Sequence, residues 1–221
     1  MKGIFFVLFF FDLLTFLKRK SNIKLLYLPL LKNNFMTILN LKKGTLLLAQ
    51  PSNNPEITFN RSVILLADHN QDGSVGFILN KPLDYTIQDL VPSIESDFII
   101  YNGGPVEQDN LYFIHNVPEK IGNSIPISNG VFWGGDFETT KNLINNKIIK
   151  NDNIRFFLGY SGWEANQLEA ELNLKSWIIT ENLQHKNVIG KTHFDFWKEK
   201  MTELGGEYLI WTNAPEDPNL N

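Results

Sequence analysis

Cysteine is absent from the 221 residues. That excludes disulfides, thiolate metal sites and a cysteine nucleophile, and it fits a reducing compartment. No repeat of fixed period is visible and no Ser/Gly/Pro-rich linker divides the chain, so one domain is expected at this length. Basic residues are few and scattered: Lys42-Lys43, Arg61, Lys81, Lys120, Lys141, Lys147 and Lys150 form no stripe. Nucleic-acid affinity comes largely from clustered Lys and Arg neutralising phosphates, so direct nucleic-acid contact is not expected. Apolar residues, by contrast, are plentiful. At 43% hydrophobic and 13% aromatic, the chain can bury a sizeable core.

Residues 1–35 differ from the rest. Seven of the 17 Phe residues fall there, and an apolar run from Gly3 to Leu17 precedes Lys18-Arg19-Lys20. The run is shorter than the roughly 20 residues a membrane-spanning helix needs, and Asp12 interrupts it. No small-x-small cleavage site follows, as a signal peptide would require. The expectation is that translation begins at Met36 and that 1–35 is a non-native extension, which removes any membrane contact. Without the six basic residues and one acidic residue of that segment, the formal net charge moves from −4 to −9. The domain is then 36–212, followed by a flexible polar tail over 213–221, and a cytoplasmic location is expected.

Beyond Met36 short apolar runs dominate. Thr45 to Ala49 and Ser62 to Ala67 are too short for helices, are bounded by turn residues and read as buried strands. Asn70-Gln71-Asp72-Gly73 is a hairpin turn signal leading into Ser74 to Asn80. Further strands are expected at Phe98 to Tyr101, Leu111 to His115, Val131 to Trp133, Ile154 to Leu158 and Ser176 to Ile179. Helices are expected from an Asp136 N-cap to Lys147, over 163–173, and from Phe194 to Leu204, with one helical turn over Thr86 to Leu90. Strands outnumber helices and hairpins come early, which defines an α+β fold with a mixed sheet.

Five ordered landmarks stand out: Gly44 to Pro51; Ser62-Val63 followed by His69; Gly76 to Pro82; Gly103-Gly104-Pro105-Val106; and Gly159-Tyr160-Ser161-Gly162-Trp163 through Gln167-Leu168-Glu169. With these the chain resembles the YqgE/AlgH family of bacterial proteins from about Gly44 to Leu204. The resemblance implies a mixed β-sheet that curls into a closed barrel with helices packed outside. It implies no known enzyme activity. Members are often labelled transcriptional regulators, which describes a genetic effect more than a binding mode.

Gly159 to Trp163 reads as a turn from strand to helix, where a nucleophile elbow would place its serine. The elbow pattern is Gly-x-Ser-x-Gly, and here Trp163 occupies the last position. Ser161 therefore reads first as a small residue in a tight turn. A hydrolase using Ser161, or Asp68 with His69, is the alternative. The four histidines, His69, His115, His185 and His193, show no metal-ligand spacing, so neither metal nor cofactor is expected. Asp68-His69 with Asp72 reads equally well as a set of turn residues. Anion binding at the two glycine turns is disfavoured by Asp136 and Glu164, which satisfy the helix N-termini themselves. Trp133, Trp163 and Trp177 read as packing residues. Gln167 and Glu171 share a helix face, and Gln167 with Glu169 is expected to hold a partner or the Gly103-Gly104-Pro105 turn.

The sequence thus points to a non-catalytic binding or regulatory module for an unknown protein or small molecule. Its expected contact surface comprises His69, Asn80, Pro82, Gly103, Gly104, Pro105, Gly159, Ser161, Gly162, Trp163, Gln167 and Glu169.

Overall fold

The computed structural model describes residues 41–51, 58–180, 188–190 and 195–213. The Phe-rich segment 1–35, Phe194, His185, His193 and the tail from residue 214 lie outside the described residues. Among the described residues the elements follow in the order β1 (Leu46–Ala49), β2 (Val63–Asn70), β3 (Gly73–Ile78), β4 (Pro82–Thr86), α1 (Ile87–Leu90), β5 (Ile99–Asn102), β6 (Val106–His115), β7 (Ile125–Ser128), β8 (Val131–Trp133), α2 (Phe137–Asn145), β9 (Ile154–Glu164), α3 (Gln167–Asn173), β10 (Trp177–Thr180), α4 (Phe196–Leu204) and, after a 3-10 turn, α5 (Leu209–Thr212).

The local signals act as their chemistry suggests. β1 is buried along its whole length and β2 over its first five residues, which is why both read as continuous apolar runs. Asn70 pairs with Gly73 to close the β2–β3 hairpin, and Asn70 Oδ1 accepts from the Asp72 N–H at 2.7 Å. Asp136 caps α2 by accepting from the Thr139 N–H at 2.7 Å. β4 and β7 carry no comparable signal. Each contains proline and is half-exposed, as suits strands with one free side.

The main path of the sheet runs β10-β1-β2-β3-β9-β6-β8-β7, and β4–β5 joins it where β5 pairs parallel with β9. The sheet is mixed but does not close into a barrel, contrary to what the family resemblance implies. Among the described residues its path ends at β10 and at β7, and no ladder joins them. The curl is nevertheless tight, since a Cβ on Gly44 would fall 1.7 Å from Ser128 Oγ. That contact joins a β7 side chain to a glycine backbone, without a ladder.

Nor do all the helices lie outside. Phe196, Trp197 and Met201 of α4 pack in one cluster with Leu46, Leu65, Phe77, Ile114, Val131 and Phe157, which fills the concave face. The opposite face of β5, β6 and β9 packs on α1 and α2 through Phe113 and Phe156 against Ile87 and Ile144. Removing each such large apolar side chain from water contributes about 1.5–3 kcal/mol.

One charge sits inside this core. Arg155 donates from Nη1 to the Leu79 carbonyl at 2.8 Å and from Nη2 to the Ile189 carbonyl at 2.9 Å. Its guanidinium lies 4.5 Å from the centre of the Tyr101 ring. Burial pushes its pKa down to about 10, which still leaves it charged at neutral pH. It ties β9 to the end of β3 and to the chain before α4.

Candidate functional site

The sequence suggests that Gly159 to Trp163 turns from strand into helix. In the structure the strand continues through it, because β9 runs unbroken from Ile154 to Glu164. What changes at Gly159 is the neighbour. Before it, Phe156 and Phe157 lie beside Ile100 and Tyr101 of β5. After it, Gly162 and Trp163 lie opposite Val75 and Ser74 of β3. Gly159 has φ +69, a conformation that costs glycine nothing. It stands alone on β9 between two rungs with β6, Leu111–Leu158 and Val106–Tyr160, while β6 inserts 107–110. This bulge resets the alternation, so Phe157 and Tyr160 both join the concave-face cluster.

Three glycines make this crossing possible. A Cβ on Gly103 would lie 2.1 Å from the Gly159 carbonyl oxygen, and one on Gly104 2.4 Å from the Ser161 nitrogen. A Cβ on Gly159 would lie 2.6 Å from the Val106 carbonyl oxygen. In each case backbone meets backbone, leaving no room for a side chain. Ser161 sits within the same junction, fully buried, and its hydroxyl donates to the Gly103 carbonyl at 3.1 Å. That carbonyl also accepts from the Ile78 N–H at 3.1 Å. The elbow-like serine is thus a bracing group between β9 and the β5–β6 turn.

His69 engages a different serine. Its Nδ1 lies 2.8 Å from Ser74 Oγ, and its Nε2 lies 3.8 Å from Glu169 Oε1. Asp68 turns away and meets the Lys43 ammonium at 2.5 Å. That hydrogen-bonded cation holds the Asp68 carboxyl below the usual carboxylate range. His115 is buried too: its Nε2 lies 3.1 Å from the Gly134 carbonyl and its Nδ1 accepts from the Val117 N–H at 3.2 Å. Burial lowers its pKa and favours the neutral ring, so it serves as a strand-end brace.

The helix after β9 is organised by a residue outside the expected surface. Glu171 Oε2 accepts from the Trp163 indole at 2.9 Å and from the Trp177 indole at 2.7 Å, and its Oε1 accepts from Gln167 at 3.0 Å. Trp163 and Trp177 stand edge to face at 5.8 Å, and Phe59 packs on both. Gln167 Oε1 also accepts from the Glu164 N–H at 2.9 Å. Gln167 thus closes the β9–α3 connection, while Glu169 faces His69. The i, i+4 spacing of Gln167 and Glu171 shows in the sequence. The two indoles come from different strands, and no local signal announces that they share a carboxylate.

Asn80 and Pro82 lie at the other end of β3 from Ser74. Asn80 accepts from the Val63 N–H at 2.8 Å and donates to the Arg61 carbonyl at 2.9 Å, fastening the start of β2. Pro82 opens β4 opposite Tyr101. The expected surface residues therefore fall into three groups: His69, Trp163, Gln167 and Glu169 beside α3; Gly103, Gly104, Gly159 and Ser161 inside the backbone junction; and Asn80 with Pro82 at the far end of β3. Pro105 and Gly162 are exposed at the edge of the junction. A shallow depression of about 640 Å³ beside α2, lined by Gln88, Phe98, Ile144, Lys147 and Lys150, includes none of them.

An open, strongly curled mixed sheet, filled by a C-terminal helix and crossed by a glycine-rich backbone junction, defines an α+β protein of the AlgH-like class. The family model described as AlgH-like matches residues 46–209, and the chain belongs to that family. It is 41% identical over 182 residues to the UPF0301 protein of Chlorobium limicola, covering 82% of this chain and 96% of that relative. The fold is shared with protein DIP2367 of Corynebacterium diphtheriae, at TM-score 0.63 and 22% identity, over 79% of this chain and 93% of that one. It is shared as well with the AlgH protein of Pseudomonas aeruginosa, at TM-score 0.60 and 22% identity, over 78% of this chain and 93% of that one. Among the described residues no helix is long and apolar enough to cross a membrane.

Proposed function

We propose that this protein is a non-catalytic cytoplasmic binding module with a regulatory role, acting through a protein or small-molecule partner and without direct nucleic-acid contact. The observation that carries this reading is the fate of Ser161. The serine most suggestive of catalysis is fully buried and donates to a main-chain carbonyl, within a junction where glycines bring three backbone segments together. Such a junction holds its exposed edge, Pro105 and Gly162, in a fixed relation, as a recognition surface requires. The lack of cysteine supports a reducing location, and the scattered basic residues argue against nucleic acid.

Site-specific photo-crosslinking in the native cell tests this reading. A photoreactive side chain at the exposed Gln108, beside Gly159, and another at Pro105 should capture the same partner, while one at Asn151 should not. Capture equal at all three positions, or at none, would sink it.

An enzyme reading retains one foothold, the Glu169–His69–Ser74 line. Ser74 is only 6% exposed, and the 3.8 Å carboxylate separation is too long for a hydrogen bond. The expected result is no labelling of Ser74 by a serine-reactive fluorophosphonate. Labelling that disappears in Ser74→Ala would reverse the preference.

A further inference from the structure

The bulge opposite Gly159 builds something beyond a strand crossing. Where β9 supplies one residue, β6 inserts Glu107, Gln108, Asp109 and Asn110, all exposed. Glu107 adopts φ +49, a left-handed conformation that bulky L-residues rarely take. Its side chain is held: Oε2 accepts from Asn110 Nδ2 at 2.8 Å and from the Tyr112 hydroxyl in a short bond. Both bonds go to Oε2, and neither uses Oε1. The Tyr112 hydroxyl, and Asn110 after it, hold the Glu107 carboxyl below its ordinary pKa.

This carboxylate stands beside half-buried aromatic rings. Tyr112 meets Tyr160 edge to face at 5.6 Å, and Phe77, which also contacts Trp133, lies under Tyr112 at 5.9 Å. Tyr112, Trp133 and Tyr160 are each partly exposed and pack against the concave-face cluster. Gly162 keeps the approach open: a Cβ there would point at Tyr160 Cε2, 3.2 Å away, and at Val106 Cγ2, 3.5 Å away. Ring faces carry partial negative charge and attract cations, and a carboxylate beside them adds to the attraction. Asp109 adds a second exposed negative group on the same bulge.

We propose that the surface formed by Tyr112, Tyr160, Gly162 and Glu107 receives an arginine side chain presented by a segment of a partner protein. The guanidinium stacks on the Tyr160 ring, with the Tyr112 ring standing nearly perpendicular beside it, and donates to Glu107 Oε1. Arginine suits the site better than lysine, because its planar group can stack and hydrogen-bond at once. This assignment rests on the binding-module reading and names the chemistry of its partner.

The test is an NMR titration of the full chain with a blocked Ser-Gly-Arg-Gly-Ser peptide and with the same peptide carrying citrulline, the neutral isostere. The arginine peptide should shift the Tyr112 and Tyr160 ring signals and the Glu107 amide. It should bind at least about fivefold more tightly than the citrulline peptide, in the range of a single cation–π contact. Glu107→Gln, a surface change that leaves the core intact, should remove about the same factor, and Tyr160→Phe should retain most of the binding. Equal binding of the two peptides, shifts confined to other residues, or an unaffected Glu107→Gln protein would each overturn the proposal. Methylguanidine binding as tightly as the peptide would overturn it in favour of a free small cation. If crosslinks at Pro105 and Gln108 persist while the arginine peptide fails, only this chemistry is wrong. If the crosslinks fail as well, the binding-module reading goes with it.

Discussion

Residues 154–158 and 159–164 belong to one strand but answer to different constraints. The first part is flanked by β5 and β6 and places Phe156 on one face of the sheet and Phe157 on the other, each in its own core cluster. Its side chains are chosen by packing. In the second part the demand passes to the backbone: Gly159 admits two neighbouring carbonyls, Ser161 braces the β5–β6 turn, and Gly162 faces solvent. A strand can thus be a core element at one end and the frame of a surface at the other. Side-chain volume fixes the first role, and the absence of side chains fixes the second.

The comparison breaks most severely at Gly103. A Cβ there would fall 2.1 Å from the Gly159 carbonyl oxygen, and main chain cannot swing aside as a side chain does. Gly103→Ala is expected to cost about 4 kcal/mol or more, beyond ordinary single substitutions. That is comparable to the roughly 3–5 kcal/mol expected for Phe157→Ala in the packed part of β9. Urea unfolding of both variants checks this. A loss under about 1 kcal/mol for Gly103→Ala would show that the junction can open, and that backbone contact constrains this half of β9 only weakly.

Glu171→Ala should come next. It leaves the indoles of Trp163 and Trp177 without their shared acceptor, although the site is only half-buried and water can reach part of it. About 2–3 kcal/mol is expected, with Glu171→Gln recovering some of it through the remaining amide oxygen. Urea unfolding followed by tryptophan fluorescence measures this directly. Equal losses for the alanine and glutamine variants would mean that the charge, and not the acceptor geometry, holds the cluster.

These residues also mark how far the sequence could be read. The Asn70 to Gly73 hairpin, the Asp136 cap and the apolar runs of β1 and β2 are local signals, and each produces the element its chemistry favours. Gly159 to Trp163 reads as a turn because two glycines suit a turn and a bulged strand equally well; the difference lies in β6, some fifty positions earlier. Closure of the sheet was illegible for a similar reason. It depends on whether β7 and β10 meet, and neither segment records its distance from the other. Ser161 stood out in the sequence by its spacing, whereas Glu171, the hub of the α3 side, had only its spacing from Gln167. Arg155 was visible as a charge within an apolar strand, but its partners Leu79 and Ile189 are distant in the chain.

Ser161→Ala should cost less, about 1 kcal/mol. The Gly103 carbonyl it would abandon still accepts from the Ile78 N–H, so no buried acceptor is left bare. The methyl group also fits the space of the hydroxymethyl group it replaces. Urea unfolding again provides the measurement, and a loss above about 3 kcal/mol would mean that the hydroxyl does more than brace the turn.

The smallest effect on stability should come from Gly162→Ala, and there the two parts of β9 separate most clearly. The nearest atom to the new Cβ is Cε2 of Tyr160, at 3.2 Å, the edge of a half-exposed ring that can shift by a few tenths of an ångström. Alanine also restricts the unfolded chain more than glycine, a gain of about 0.4–1 kcal/mol where the native backbone is compatible. Gly162 is absent from the positive-φ glycines, so that condition is met. Stability should therefore stay within about 0.5 kcal/mol of the parent. Binding of the arginine peptide should nevertheless weaken, because the displaced Tyr160 ring no longer presents its face beside Glu107. Position 162 is then kept small for what approaches it, whereas position 103 is kept small for what it touches in the fold. A Gly162→Ala protein that loses as much stability as Gly103→Ala, or that binds the peptide as the parent does, would erase the distinction.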